Sequence, residues 1–383
     1  MNPHEPGLFS KGEMLLSIYV DDTMISGPNK DDLDREYAEI TKEFDGEPVK
    51  PLRTHPDGTE ERDLLGSVLL YNREKRYMKI HMGPAIEKVL SKFNMKDCKG
   101  AATPAVLNAD LSLGGSVENF PMRQLCGCLN YIATICRPDI SFACQRVSQF
   151  ADKPTAGAIA GGKRILRYLK RTLEEGISYS VEDEREFNQI YSKVLQEHSP
   201  DNETFTELPK NVAFTDSDFA GDPVTLKSTS GSILFYRGCP IVWKSKKQSI
   251  RTHSTCESEY VSMYDCVRLV QGQGYLRWFI DNPTELPLIF CDNQSAIALS
   301  KNSITTKKSK HFALRYMLVK DFHKNFGFCP TDLNLSDPLT KPLSAAKYLQ
   351  MFHHQKSDDS LVDEDEEEDC YFAVAYRVNF ETL

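Results

Sequence analysis

The feature that most constrains this chain is a change of hydrophobic rhythm at Val212. From there three short apolar runs, VAFTDSDFAG, GSILFYR and PIVWKS, follow one another with turn residues between them, and their spacing predicts an antiparallel meander. A long helix is expected next from Thr255 to Phe279, then a buried strand at LPLIFCD. Helices from Asn293 to Asn302 and from Lys310 to Asn325, a short strand at Phe326 to Cys329 and a last helix near Ser336 complete the pattern. A meander followed by strands alternating with helices predicts an α/β layer fold around a mixed sheet.

Cleaving a phosphodiester without a covalent intermediate needs an activated water and neutralisation of the leaving oxygen, and two divalent ions about 4 Å apart supply both. Mg²⁺ prefers hard oxygen ligands, so converging Asp and Glu residues are required. The segment offers Asp216 on its first strand, Glu259 on the long helix, Asp292 at the end of LPLIFCD and Asp337 at the start of the last helix. A mixed sheet can bring the four together.

At 383 residues there is more chain than one core requires, and two or three domains are expected. No run of about 18 apolar residues exists to cross a bilayer, and the first residues lack the order of a secretory signal. A cytoplasmic or nuclear location is the expectation. The 11 cysteines are scattered singly, without the paired spacing of a zinc framework. The net charge of −9 looks wrong for contact with nucleic acid, but Asp358, Asp359 and the run Asp363 to Asp369 supply nine acids, so the body is close to neutral. Within it KRILRYLKR, KSKK and KKSK are local basic patches, and Lys244, Lys246, Lys247 and Arg251 are expected to face a phosphate backbone.

Upstream, MLLSIYVDDTMI predicts a strand hairpin with Asp21 and Asp22 at its tip. An amphipathic helix follows, with Asn29 or Asp31 as N-cap and Leu33, Tyr37, Ile40 and Phe44 at helical spacing. Two short strands and a helix from Pro84 to Phe93 come next, then a loop rich in Gly, Ala, Pro and Ser over residues 100–120. Helical segments are expected around Leu125 to Thr134, Ile140 to Phe150 and Ala158 to Thr172. Residues 181–210 are polar and read as a linker, with or without a short helix within it. The end, YFAVAYRVNF, reads as an edge strand or as sequence beyond the natural end of the element.

The strings FTDSDFAGD, KSTSGSILFY, WKSKKQS, STCESEYVSM, CDNQSAIALSKN, KKSKHFALRY and LSDPLTKPL follow, in order, the pattern of the ribonuclease H domain of copia-type retrotransposon polyproteins, which this segment resembles. YVDD at Tyr19 to Asp22, LLGSVLLYNRE, KVLSKFNMKDCKGAATP, MRQLCGCLNYIATICRPDISFACQRVSQF and GGKRILRYLKRT resemble, in the same order, the end of that family's reverse transcriptase palm and its thumb and connection. The resemblance covers most of residues 15–345.

It implies an α/β fold, α+β overall, with a ribonuclease H-like mixed five-stranded sheet after a partial reverse transcriptase palm and a helical thumb or connection. The corresponding divisions are 1–104 (palm), 105–180 (thumb and connection), 181–210 (linker), 211–350 (ribonuclease H-like) and 351–383 (acidic tail). Asp216, Glu259, Asp292 and Asp337 match the family's metal-binding acids, with Asp218 and Glu257 as near neighbours that could be mistaken for them and Glu257 as the rival of Glu259. Asn293 and Gln294 match contacts to a hybrid's minor groove, and His311 a residue assisting product release. Asp21 and Asp22 match palm metal ligands. The implied cofactors are two Mg²⁺ or Mn²⁺ ions. The implied partner is an RNA:DNA hybrid, with other retrotransposon proteins or a complementing reverse transcriptase subunit beside it, in a virus-like particle or the nucleus.

Departures from the pattern carry their own expectations. The palm's third carboxylate and the fingers would lie before Met1, so DNA synthesis by this chain alone is not expected. The segment between Met317 and Pro330 is short, which would trim the strand before Asp337. AGAIAGG stands at the start of the basic helix, where each glycine weakens helix formation by about 1 kcal/mol.

Overall fold

The computed structural model describes residues 6–20, 22–44, 46–48, 50–117, 119–199, 204–273, 287–301, 310–344 and 372–378, giving the backbone alone for 46–48, 310–315 and 372–378. Strands β1 (Leu8–Lys11), β2 (Met14–Tyr19) and β3 (Asp22–Gly27) open the chain as an antiparallel ribbon. Tyr19 pairs with Asp22 across the β2–β3 tip, and Val20 there takes a φ of 52°, the left-handed region a tight hairpin turn demands. Helix α1 (Lys30–Glu43) starts where the Asn29 side chain accepts from the Asp31 backbone N–H at 2.8 Å, and it buries Leu33 against β3.

Past β4 (Gly46–Pro48), strands β5 (Arg53–Thr54), β6 (Glu60–Leu64), β7 (Ser67–Asn72) and β8 (Tyr77–His81) form a second antiparallel sheet. Four helices pack beside it: α2 (Gly83–Lys92), α3 (Met122–Ile135), α4 (Ser141–Ser148) and α5 (Ala156–Arg171). Strand β9 (Gly176–Ser180) then returns to pair with β8. Met82, Ile86 and Leu90 therefore share one core with Leu125, Leu129, Ile165, Leu169 and Ile177. Residues on both sides of the expected division between 104 and 105 contribute to this core.

The glycines of AGAIAGG do not break α5. A Cβ on Gly157 would stand 2.7 Å from the Asp110 carbonyl oxygen, and one on Gly162 would stand 2.7 Å from Leu125 Cδ2. Their absence of side chain lets neighbouring chain pass against the helix, and Thr155 caps it through a side-chain bond from the Ala158 N–H. Arg137 is buried at 1% exposure and forms a forked pair with Asp139, whose Oδ2 also accepts from Tyr168. Its other arm holds the Thr172 carbonyl at 2.8 Å, clamping the end of α5.

Residues 181–198, expected within a linker, are helix α6 (Val181–His198), capped by Ser180. Charged residues cover its outer face, but Phe187, Tyr191, Val194 and Leu195 recur at helical spacing and are buried. They lie on the third sheet, made of β10 (Asn211–Asp218), β11 (Thr229–Tyr236), β12 (Cys239–Lys247), β13 (Leu288–Cys291) and β14 (Phe326–Phe328). Helix α7 (Thr255–Gly272) runs between β12 and β13, and helices α8 (Gln294–Lys301) and α9 (Lys310–Asp321) lie between β13 and β14.

The strand order is β12-β11-β10-β13-β14. The first three strands pair antiparallel as the meander predicts, and β13 and β14 join parallel. Phe214, Phe235 and Phe290 face α6, whereas Ala213, Leu234 and Ile289 face α7, α8 and α9. Burial of each of the aromatic side chains under α6 contributes about 1.5–3 kcal/mol. The shortened segment before Asp337 keeps its strand, β14, at three residues. Instead of a last helix from Ser336, a 3₁₀ turn spans Asp337–Leu339.

Strand β15 (Phe372–Val378) is no edge strand: it lies between β3 and β4 in the first sheet, antiparallel to both. The acidic block from Ser357 to Asp369 lies outside the described residues. Among the described residues no helix is long and apolar enough to cross a membrane.

Candidate metal centre

Four elements deliver the predicted acids to one edge of the third sheet. β10 and β13 run parallel with Thr215 beside Cys291, so the next residues, Asp216 and Asp292, emerge at neighbouring strand ends. Asp216, Asp292 and Asp337 form a group whose ligand atoms all lie within 4.8 Å of one another, and Glu259, Cys291 and Asp292 form a second. Asp292 belongs to both. Asp216 and Asp337 are buried at 2% and 0% exposure, Glu259 at 5%, and Asp292 is half-buried.

Hydroxyl and amide groups fix this geometry. The Ser262 hydroxyl on α7 donates to the Asp216 carbonyl at 2.6 Å, and Ser217 donates to Glu259 Oε1 through its N–H at 3.1 Å and its hydroxyl at 2.9 Å. Asn334 donates to the Thr215 carbonyl at 3.0 Å, anchoring the 3₁₀ turn that carries Asp337. That turn lies on β11 at Gly231, where a Cβ would meet Ser336 O at 2.8 Å and Thr340 Cγ2 at 2.6 Å. The glycine of KSTSGS is thus the reason Asp337 reaches the cluster despite its short approach. Thr331 donates to Asp292 Oδ2 at 2.9 Å, and Thr340 donates to Asp216 Oδ2.

Glu257 and Glu259 diverge because two residues are more than half a helical turn apart. Glu257 closes a capping box at the start of α7: its carboxylate accepts from the His253 N–H at 2.6 Å while its own N–H donates to the Ser254 hydroxyl at 3.1 Å. Glu259 is the one that faces the cluster.

Burial, with mutual repulsion adding to it, raises the proton affinity of Asp216, Glu259 and Asp292. Burial pushes Asp216 up to about 7; Lys341 opposes this, and Asp337 and Asp292 add to it. Glu259 is raised well above the usual carboxylate range by burial, then by Asp216 and Asp292, and Asp292 is raised chiefly by burial. Lys341, in the LTKPL string, sits against them: its Nζ is 2.9 Å from Asp337 Oδ1 and 3.8 Å from Asp216 Oδ2. Burial alone would lower its ammonium, and the surrounding Asp216, Asp337 and Asp292 outweigh burial and push it up to about 12. The i,i+4 spacing from Asp337 is the one local signal that marks Lys341 in that string. The carboxylates of Asp216, Glu259, Asp292 and Asp337 are a donor set of hard oxygens, and they fit Mg²⁺ or Mn²⁺.

The remaining predicted residues are dispersed. Asn293 caps α8, its Oδ1 accepting from the Ala296 N–H at 2.9 Å, and Gln294 is exposed beside it. Lys244 and Arg251 are exposed, and Lys246 pairs with Asp265 of α7 at 3.2 Å. Lys247 points to the opposite face of β12, where it binds Asp222 at 2.6 Å and Gln149 of the helical body at 2.9 Å. The four basic residues therefore do not form one patch. Asp22 is half-buried at the start of β3 and belongs to neither ligand group; Asp21 and the His311 side chain lie outside the described residues.

A mixed sheet in this order, with an acidic cluster at the ends of its central strands, defines an α/β fold of the ribonuclease H type. The chain is a relative of copia-type retrotransposon Pol polyproteins. It is 28% identical over 349 residues to the retrovirus-related Pol polyprotein from transposon TNT 1-94 of Nicotiana tabacum, a match covering 88% of this chain and 24% of that protein. It is 29% identical over 352 residues to the Pol polyprotein from transposon RE1 of Arabidopsis thaliana, covering 88% and 21%. To the truncated transposon Ty1-A Gag-Pol polyprotein of Saccharomyces cerevisiae it is 21% identical, covering 88% and 27%. The chain thus spans about a quarter of the length of these curated relatives.

No protein-family model matches the chain. Solved structures with similarity include the N-terminal RNase H domain of a Mycobacterium tuberculosis protein fused to maltose binding protein, at 14% identity over 34% of this chain and 89% of that one, TM-score 0.26. LC11-RNase H1 in complex with an RNA/DNA hybrid matches at 16% identity over 34% and 94%, TM-score 0.26.

Proposed function

We propose that this chain carries a metal-dependent ribonuclease H-like nuclease that hydrolyses the RNA strand of an RNA:DNA hybrid. The observation that carries the reading is the sharing of Asp292 between two groups of potential ligands, one with Asp216 and Asp337 and one with Glu259. Two Mg²⁺ or Mn²⁺ ions held there would supply the Lewis acidity and the activated water that phosphodiester hydrolysis needs.

The chain's own residues set the stage for that chemistry. Thr331 and Ser217 hold the Asp292 and Glu259 carboxylates in fixed orientations, so the donor set is organised before any cation arrives. Gln294 and the Asn293 amide stand next to Asp292 in the chain, where they would meet the 2′-hydroxyls of a hybrid's minor groove. Lys244, Lys246 and Arg251 would take phosphates; Lys247 is assigned to the seam with the helical body.

The test uses the full chain with labelled RNA:DNA hybrid and double-stranded DNA, with and without Mg²⁺ or Mn²⁺. Cleavage of hybrid alone, dependent on metal and abolished by Asp292→Asn, is expected. Folded protein that leaves the hybrid intact in both metals overturns the reading, and salt-dependent hybrid binding without turnover would mark a binding remnant instead.

A further inference from the structure

Lys341 enters the acidic cluster from the solvent side. Its side chain is 34% exposed, whereas those of Asp216 and Asp337 are 3% and 0% exposed. The ammonium sits against Asp216 and Asp337, which with Asp292 make the first ligand group. It therefore stands where a divalent ion held by that group would stand. The backbone of the 3₁₀ turn is independently fixed by Asn334 and Gly231, and Lys341 follows that turn on a flexible four-carbon stem. The ammonium can withdraw without moving Asp337.

A divalent ion and an ammonium seated together on Asp216 and Asp337 would repel at close range in a poorly screened place. One must leave for the other to bind. We propose that Lys341 is an exchangeable internal cation, which neutralises Asp216 and Asp337 in the metal-free protein and gives them up to the metal, so that it sets the affinity of the site. Its role is positioning, and it rests on the reading of Asp216, Asp292 and Asp337 as metal ligands.

The experiment compares full-length wild type, Lys341→Gln, Lys341→Arg and Asp292→Asn by calorimetric titration with Mn²⁺ and by thermal melting in EDTA. Removing the competing charge in Lys341→Gln is expected to tighten Mn²⁺ binding roughly tenfold. The same variant melts below wild type in EDTA, and Lys341→Arg, which keeps the charge, stays near wild type in both readouts. Mn²⁺ binding seen only in Lys341→Gln supports the exchange equally. Should wild type bind Mn²⁺ in a manner lost in Asp292→Asn while Lys341→Gln binds no tighter, or melts no lower in EDTA, the exchange is overturned and the ligand reading survives. If neither wild type nor Lys341→Gln binds Mn²⁺ at a site sensitive to Asp292→Asn, both fall together.

Discussion

The indole N–H of Trp243 on β12 donates to the Ala133 carbonyl on α3 across 2.8 Å, and the same ring packs against both the helical core and the aromatic core under the third sheet. Arg146 of α4 adds to this seam, 3.7 Å from the Asp222 carboxylate that also binds Lys247. Trp243→Phe removes the hydrogen bond and leaves a buried carbonyl without its donor, so a loss of about 1–3 kcal/mol is expected. Urea unfolding followed by fluorescence and circular dichroism checks this. Two separate transitions in wild type, with the variant unchanged, would mean that the seam contributes nothing.

Helix α6 covers Phe214, Phe235 and Phe290, and Tyr191 also donates to the Leu333 carbonyl at 2.9 Å near the turn that carries Asp337. A fragment that starts at about residue 205 uncovers this aromatic face and is expected to aggregate or bind a hydrophobic dye strongly. One that starts at about residue 176 retains α6 and is expected to be better behaved in the same gel-filtration and dye assay.

The two glutamates of STCESEY have distinct jobs. Glu259→Gln is expected to abolish metal-dependent hybrid cleavage with little loss of fold. Glu257→Gln weakens the capping box by about 0.5–1 kcal/mol and leaves cleavage near wild type. Cleavage lost in Glu257→Gln and retained in Glu259→Gln would reverse the assignment.

Asp216 predicts a pH dependence. With its carboxyl near 7 when folded and near 3.8 when unfolded, the folded chain binds the extra proton between those values. The stability this contributes is complete below the interval and is lost as pH rises through it. In EDTA, Asp216→Asn is therefore expected to gain on wild type from about pH 5 to about pH 8, by on the order of 1–3 kcal/mol. Melting curves of the two proteins across that range decide it; a difference that stays flat would show that Asp216 titrates normally.

Gly157 offers a test of packing against propensity. Alanine favours a helix over glycine by about 1 kcal/mol. A methyl 2.7 Å from the Asp110 carbonyl oxygen nevertheless forces backbone apart, so Gly157→Ala is expected to destabilise by about 1–3 kcal/mol. A raised melting temperature would refute this.

Local signals carried much of the fold. The meander was legible because each strand is short, apolar and bounded by turn residues, and Asp216 and Asp292 were legible as acids ending such strands. The choice between Glu257 and Glu259 was not, since it depends on which helix face meets Ser217. The 18-residue length of helix α6 and its place in the core escaped, because charged residues on its outer face masked the stripe of Phe187, Tyr191, Val194 and Leu195. The glycines of α5 read as weakness because the chain that presses on them, at Asp110 and Leu111, is distant in sequence. Lys341 carries only the i,i+4 spacing from Asp337 as a local signal: its other partner, Asp216, lies on β10, and only the completed sheet brings them near.

The bond from Asn334 to Thr215 spans 119 residues, and β10 needs β13 as its parallel neighbour. A ribosome that has finished β10 has made a strand with both sides open: β11 covers one, the other waits for β13, and the turn bearing Asp337 comes later still. During translation the acidic cluster consequently cannot close until Asn334 has emerged, and a single protease nick in the span between Thr215 and Asn334 would strike within the stretch that joins the first acid to the last.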